Sequence, residues 1–305
     1  MRLATRGPFD LEATVRVLQR RPSNRVDAWA GGCYRRVLET SRGLVLAEVT
    51  DLGEIDRPDL RCVLRGVAPG ASPRREAVAT LRRILGLDLD PARLRARTAG
   101  EPAMRSAADA LRGLRPPRFA TLFEAFASVV PFQQVSLDAG VAVVGRMVER
   151  FGAVLNYGDA CHYAFPTSAA IAQARLVALR ACGLSRQKAA TLRSVARAVE
   201  SAELGEAQLE PLTTAQATVR LTALEGVGPW TAGLVLLRGC GRLDVFPPGD
   251  VGAQRNLRAL LGTGSERRLR AAVARFGELR GYLYFCALGA SLIRKELIGM
   301  PRETC

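Results

Sequence analysis

The sequence predicts an α+β chain, with a small mixed domain at the N-terminus and a mostly helical body behind it. Three observations lead there. Over residues 1–95, short β-rich pieces sit among amphipathic helical stretches. From Phe119 onward strand signals almost vanish and helical periodicity dominates. Between the two, Gly100, Pro102 and the Pro116-Pro117 pair punctuate a connection. At 305 residues the chain also exceeds the usual single unit of roughly 100–200 residues.

Taken in order, an amphipathic stretch over 10–19 predicts the first helix, β pieces follow at 33–39, 43–50 and 59–66, and a helix is expected at 74–85. The connection contains one short expected helix at 107–114. The body predicts helices at 119–129, 133–150, 168–181, 185–202, 213–224, 230–239, 251–261, 266–275 and 279–295. Pro131 and Pro166 punctuate the first gaps, Gly183 separates the next pair, and Pro211 precedes the helix at 213. The expected division is residues 1–95 for the α+β domain and 96–305 for the helical region.

The formal net charge is +15, and both parts contribute: residues 1–95 hold 18 Lys+Arg against 12 Asp+Glu, the remainder 26 against 17. Such a field attracts a polyanion, nucleic acid or an anionic membrane surface. Of the 44 Lys+Arg only Lys188 and Lys295 are lysines, and arginine cannot deprotonate to act as an amine nucleophile. The seven cysteines (33, 62, 161, 182, 240, 286 and 305) form no CxxC pair, and the single His162 has no further ligand spacing, so no iron-sulfur cluster or catalytic metal is expected. An odd cysteine number without an apolar leader, and no run of about 18 apolar residues, point to a soluble cytoplasmic protein with reduced thiols.

The chemistry concentrates at 224–250. Leu224-Glu225-Gly226-Val227-Gly228-Pro229-Trp230-Thr231-Ala232 lies between two apolar helical stretches, the form of a helix-hairpin-helix. Glycines two apart allow positive φ and close approach of backbone N–H groups to a phosphate, and the second helix start adds its dipole. Pro229 suits the first helical turn, and the Thr231 hydroxyl can reach phosphate. An ordinary helix turn has the same GxG, so the cradle rests on this continuation. Beyond it comes Asp244-Val245-Phe246-Pro247-Pro248-Gly249-Asp250, with Asp250 placed to cap the helix at 251. Capping alone and a catalytic carboxylate are both open readings.

Hairpin, intervening helix and Pro-Pro-Gly-Asp loop together resemble the helix-hairpin-helix, Gly/Pro-Asp superfamily of DNA glycosylases, and within it the 3-methyladenine DNA glycosylase II (AlkA-type) branch. Pro8-Phe9-Asp10, 130–136 with Gln133 and Gln134, Phe165-Pro166-Thr167 and Gly183-Leu184-Ser185 extend the likeness over nearly the whole chain. The resemblance implies a TBP-like N-terminal domain and a helical region in two lobes with the active site between them. It implies excision of alkylated purines from duplex DNA by a monomer, Asp250 as the essential carboxylate and Trp230 stacking on the extruded base.

By the same resemblance, members that cleave the strand through a Schiff base carry a lysine at the position of Trp230, so hydrolysis without lyase activity is expected. Other pocket positions fall on Leu234, Val251 and Leu288, which thins the aromatic cleft; Tyr282, Tyr284, Phe285 and Phe246 are possible replacements. DNA contacts fall on Gly226, Val227, Gly228, Thr231, Pro131, Phe132 and Gln133, with Pro131 or Phe132 as the wedge that fills the gap left by the flipped nucleotide. Carbonyls of Thr222, Leu224 and Val227 would hold a structural monovalent cation. The alternatives are a non-catalytic damage-sensing DNA-binding protein, or a glycosylase for a deaminated or oxidised purine.

Overall fold

The computed structural model describes residues 1–66, 70–99, 104 and 110–298. Its N-terminal part is a five-stranded sheet of β1 (Arg2–Leu3), β2 (Ala28–Ala30), β3 (Cys33–Thr40), β4 (Gly43–Asp51) and β5 (Leu60–Arg65), ordered β1-β5-β4-β3-β2. Every pairing is antiparallel, and β3 meets β4 in register from Cys33↔Thr50 to Thr40↔Gly43. Helices α1 (Leu11–Gln19) and α2 (Ala71–Leu85) pack against this sheet and each other. A third helix, α3 (Pro91–Ala99), occupies the segment expected to be connection. Of the helix expected at 107–114, residues 107–109 lie outside the described residues and 111–113 form a turn.

The body follows with α4 (Leu122–Ala127), a 3₁₀ turn at Val130–Phe132, and α5 (Leu137–Phe151). The helix expected from 133 starts only at Leu137, because Ser136 takes the cap position and accepts Ala139 N–H at 3.2 Å. A two-stranded hairpin, β6 (Val154–Tyr157) and β7 (Ala160–Tyr163), then leans on β3 and β4. It corrects the expectation that strands vanish after Phe119: four-residue strands, largely exposed, leave no period to detect. The helix expected at 168–181 is two, α6 (Ser168–Gln173) and α7 (Leu176–Ala181), broken where Ala174 and Arg175 turn extended.

The remaining helices are α8 (Arg186–Glu200), α9 (Glu206–Leu209), α10 (Thr214–Thr222), α11 (Pro229–Leu234) with a π turn at Val235–Gly239, α12 (Val251–Leu260), α13 (Glu266–Arg275) and α14 (Tyr282–Ile293). α14 is apolar on nearly every side, and accordingly lies buried through the centre, against α1 and α12. One core cluster runs from Tyr34 and Val49 of the sheet through Phe126 to Leu236 and Phe285. Among the described residues no helix is long and apolar enough to cross a membrane.

Asp10 caps α1, its Oδ1 accepting Ala13 N–H at 2.8 Å, yet burial pushes its carboxyl up to about 6. A raised carboxyl binds its proton more tightly folded than unfolded, so stability falls as pH rises from about 4 to 6. The full cost, about 3 kcal/mol at most, is present above that window. Asp10→Asn keeps an accepting oxygen and cannot ionise. Urea unfolding is therefore expected to show the variant more stable than the parent at pH 7.5, and no better at pH 4.

Candidate active site

The hairpin forms as its residue types dictate. α10 opens with a capping box, Thr213 with Gln216, and ends at Ala223. The turn closes with Val227 N–H donating to Leu224 O at 3.0 Å, and Gly226 adopts φ +77°. A Cβ on Gly226 would lie 2.0 Å from Thr191 Oγ1 of α8, so glycine is needed both for conformation and for contact. Gly226→Ala is expected to lower stability by about 1–3 kcal/mol and to weaken duplex binding, measurable by urea unfolding and fluorescence anisotropy. Gly228 does not adopt the positive φ that its spacing suggested. It sits extended at φ −87° as the cap of α11, exposed, with open space where a Cβ would be.

The loop after α11 is held tightly before it reaches Asp250. At Gly233 a Cβ would lie 2.9 Å from Pro248, and at Gly281 one would lie 2.5 Å from Val245 O, so the loop is squeezed between α11 and the start of α14. Gly281 N–H also donates to Leu243 O at 2.7 Å. Asp250 then caps α12, with Oδ1 accepting Ala253 N–H at 2.7 Å. Its other oxygen, Oδ2, accepts the Trp230 indole N–H at 3.0 Å. The starts of α11 and α12 are thus joined through one carboxylate.

Trp230 and Asp250 both line a cavity of about 210 Å³. Four more aromatic residues line it: Phe119, Phe132, Phe165 and Tyr284. Phe132 crosses Gly140 of α5 so closely that any side chain there would meet its ring. Arg238, Asp27 and Glu124 form the buried part of its polar wall. The Arg238 guanidinium is buried 4.5 Å from the centre of the Phe119 ring, its Nε and Nη2 have no hydrogen-bond partner, and burial lowers it to about 10. Asp27 and Glu124 share Arg36 of β3, at 2.7 Å and 2.6 Å. The cavity therefore combines aromatic faces, one half-exposed carboxylate and a buried ionic wall.

Two family models meet nearly end to end on the chain, the AlkA N-terminal domain over residues 1–121 and the HhH-GPD superfamily base excision DNA repair protein over residues 127–276. The chain belongs to the HhH-GPD superfamily. It is 30% identical over 284 residues to the probable bifunctional transcriptional activator/DNA repair enzyme AlkA of Mycobacterium tuberculosis, covering 92% of this chain and 55% of that one. It thus spans about half the length of that relative. It is 29% identical to DNA-3-methyladenine glycosylase 2 of Escherichia coli, covering 80% of this chain and 82% of that one. The 3-methyladenine DNA-glycosylase from Archaeoglobus fulgidus has the same fold, with TM-score 0.81 and 27% identity over 96% of this chain and 99% of that one.

In this HhH-GPD chain the expected site residues divide into two groups. Trp230, Leu234 and Asp250 come together on the cavity; Val251 and Leu288 are not among its lining residues. Val251 is 76% exposed, because the inward face of α12 is fixed by Ala253 and Leu257. Leu288 lies within the buried length of α14. Of the suggested replacements Tyr284 lines the cavity, while Tyr282 and Phe285 are core. Phe119, Phe165 and Arg238 were not singled out as pocket residues, and no local pattern marks them.

Among the expected DNA contacts, Thr231 is 1% exposed and its hydroxyl accepts Gln133 Nε2–H at 2.9 Å, which removes it from any phosphate. Gln133 also donates to Gly226 O at 3.0 Å, so it braces the hairpin from within. Pro131 is buried and Phe132 turns to the cavity, so neither stands at the tip of the loop. The tip is Gln134, exposed and held at φ +56°.

Proposed function

We propose that the chain is a monofunctional DNA glycosylase that hydrolyses the N-glycosidic bond of alkylated purines, of the 3-methyladenine kind, in duplex DNA, as the opening step of base excision repair. The observation that carries this reading is the Trp230–Asp250 pair: an electron-rich ring and a carboxylate, hydrogen-bonded to each other, on the wall of one aromatic cavity. The relatives named DNA-3-methyladenine glycosylase support it.

In this mechanism the damaged nucleotide leaves the stack and its base enters the cavity, where Trp230 and the four other rings attract the positive charge of an alkylated purine. Breaking the glycosidic bond builds positive charge on the sugar. Asp250 stabilises that charge and orients the attacking water. At about 4 Å and an effective dielectric near 20 the attraction is roughly 4 kcal/mol, about a thousandfold in rate. A cap is worth about 1 kcal/mol, so one residue serves both roles with catalysis the larger.

The backbone N–H groups of Gly226 and Gly228 anchor a phosphate in this reading, Val227 N–H being held by Leu224 O, while the Gln134 tip, with Val135 beside it at 45% exposed, fills the gap left by the extruded nucleotide. The carbonyls of Thr222, Leu224 and Val227 supply the hard oxygen donors that suit a monovalent cation, and Leu224 O keeps one lone pair beyond its bond to Val227 N–H. When bound, such an ion would offset phosphate charge at the turn. The partner is duplex DNA, bound by a monomer in the cytoplasm at the nucleoid, with the N-terminal domain buttressing the helical region.

No lyase step belongs to this mechanism. Trp230 stands where an amine would be needed, Lys188 is engaged by loop carbonyls, and Lys295 is exposed beyond α14. Borohydride trapping on a lesion-bearing duplex is expected to give no covalent adduct; an adduct would sink the hydrolytic assignment. Single-turnover assays over a panel of lesions test the activity itself. Release of 3-methyladenine is expected, and duplex binding without release of any base would leave the damage-sensing alternative.

A further inference from the structure

We infer that Lys188 is a positioning residue that sets the height of the Gln134 tip above the hairpin, so that the probing loop and the phosphate anchor move as one part. This rests on the glycosylase reading above. Lys188 lies in the first turn of α8, and its Nζ donates to Pro131 O at 3.1 Å and Gln133 O at 2.6 Å. These two carbonyls flank the backbone that immediately precedes Gln134. From the other side the Gln133 side chain donates to Gly226 O and Thr231 Oγ1, tying the same segment to the hairpin.

α8 also touches the hairpin directly. Thr191 stands three residues beyond Lys188, on the same helix face, and it is the residue that would meet a Cβ on Gly226. One face of α8 therefore braces both the loop and the turn. The side-chain type fits the task. Two carbonyls converge on a single nitrogen, and a compact ammonium brings three tetrahedral donors to meet them. In a chain with 44 Lys+Arg, this is one of only two lysines. Gln134 holds a left-handed conformation, unusual for a residue other than glycine, and such a conformation persists where its surroundings impose it.

The test compares Lys188→Met, which keeps the stem, with Gln134→Ala and the double variant. Without DNA, hydrogen exchange in peptides covering 129–136 is expected to quicken in Lys188→Met; unchanged exchange overturns the brace whether or not the protein excises anything. With DNA, Lys188→Met is expected to lose about tenfold in single-turnover excision of 3-methyladenine from a fully paired duplex, and less than about threefold from a bulge where the base is already unpaired. In the Gln134→Ala background the same change should cost nothing further, since both act through one tip. An equal loss on both substrates, or full additivity, overturns the positioning role. Failure of the parent protein to release any base would instead count against the glycosylase reading.

Discussion

Asp250→Asn is expected to lose at least about a thousandfold in single-turnover excision while duplex affinity changes by less than about threefold. The geometry adds a second, separable effect. Both carboxylate oxygens accept N–H groups, from Ala253 and from the Trp230 indole. An asparagine offers one oxygen and one NH₂, so whichever way the amide turns, a donor faces a donor. A loss of about 1–2 kcal/mol in stability should accompany the loss of activity. Adding Trp230→Phe removes the indole donor but keeps an aromatic face, and the double variant is expected to regain stability without regaining activity. Urea unfolding and excision kinetics on the same preparations separate the two. Full excision by the single variant would remove Asp250 from the mechanism.

The hairpin and the Asp250 cap were legible in the sequence because each depends on residues a few positions apart. A positive φ asks for glycine at 226, a first helical turn accepts proline at 229, and a helix start takes aspartate at 250. The cavity was not legible, because its walls come from segments far apart in the chain. Phe119, Phe165, Arg238 and Tyr284 converge through tertiary packing. Along α14 nearly every side is buried, so an apolar period cannot say which residues reach the cavity: Tyr284 lines it, and Leu288, one turn further along the same side, does not. Val251 and Thr231 are placed differently from what their motifs suggest, for another cause. Both stand beside well-read motifs, yet helix direction turns one to solvent and the other into the core. The role of Lys188 leaves no local signal either, because its partners are backbone carbonyls more than fifty residues away in the chain.

The largest stability effect is expected at Arg36, where a guanidinium buried to 2% exposure separates two buried carboxylates. Asp27 also accepts the Tyr34 hydroxyl at 2.8 Å, and Glu124 belongs to α4 of the helical body, so the cluster joins the sheet to that body beside the cavity. Burial raises the Glu124 carboxyl even with Arg36 in contact. Arg36→Met strips the cation from both acids, and breaking a buried pair in this way costs about 3–5 kcal/mol. Glu124→Gln should cost less, because an amide oxygen can still accept from Nη2 while Asp27 continues to balance the guanidinium.

The pH dependence distinguishes lost charge from lost packing. Without Arg36 the folded carboxyl of Glu124 is held higher still, so the folded state retains a proton that the unfolded chain releases as pH rises. The penalty of Arg36→Met is then largest at pH 8 and shrinks towards pH 4, where protonation removes the repulsion. A penalty of the same size at both pH values, measured by urea unfolding, would mean that the guanidinium acts through packing alone. Because Asp27 and Glu124 also line the cavity that holds Trp230 and Asp250, the variant is expected to lose excision at pH 8 together with its stability.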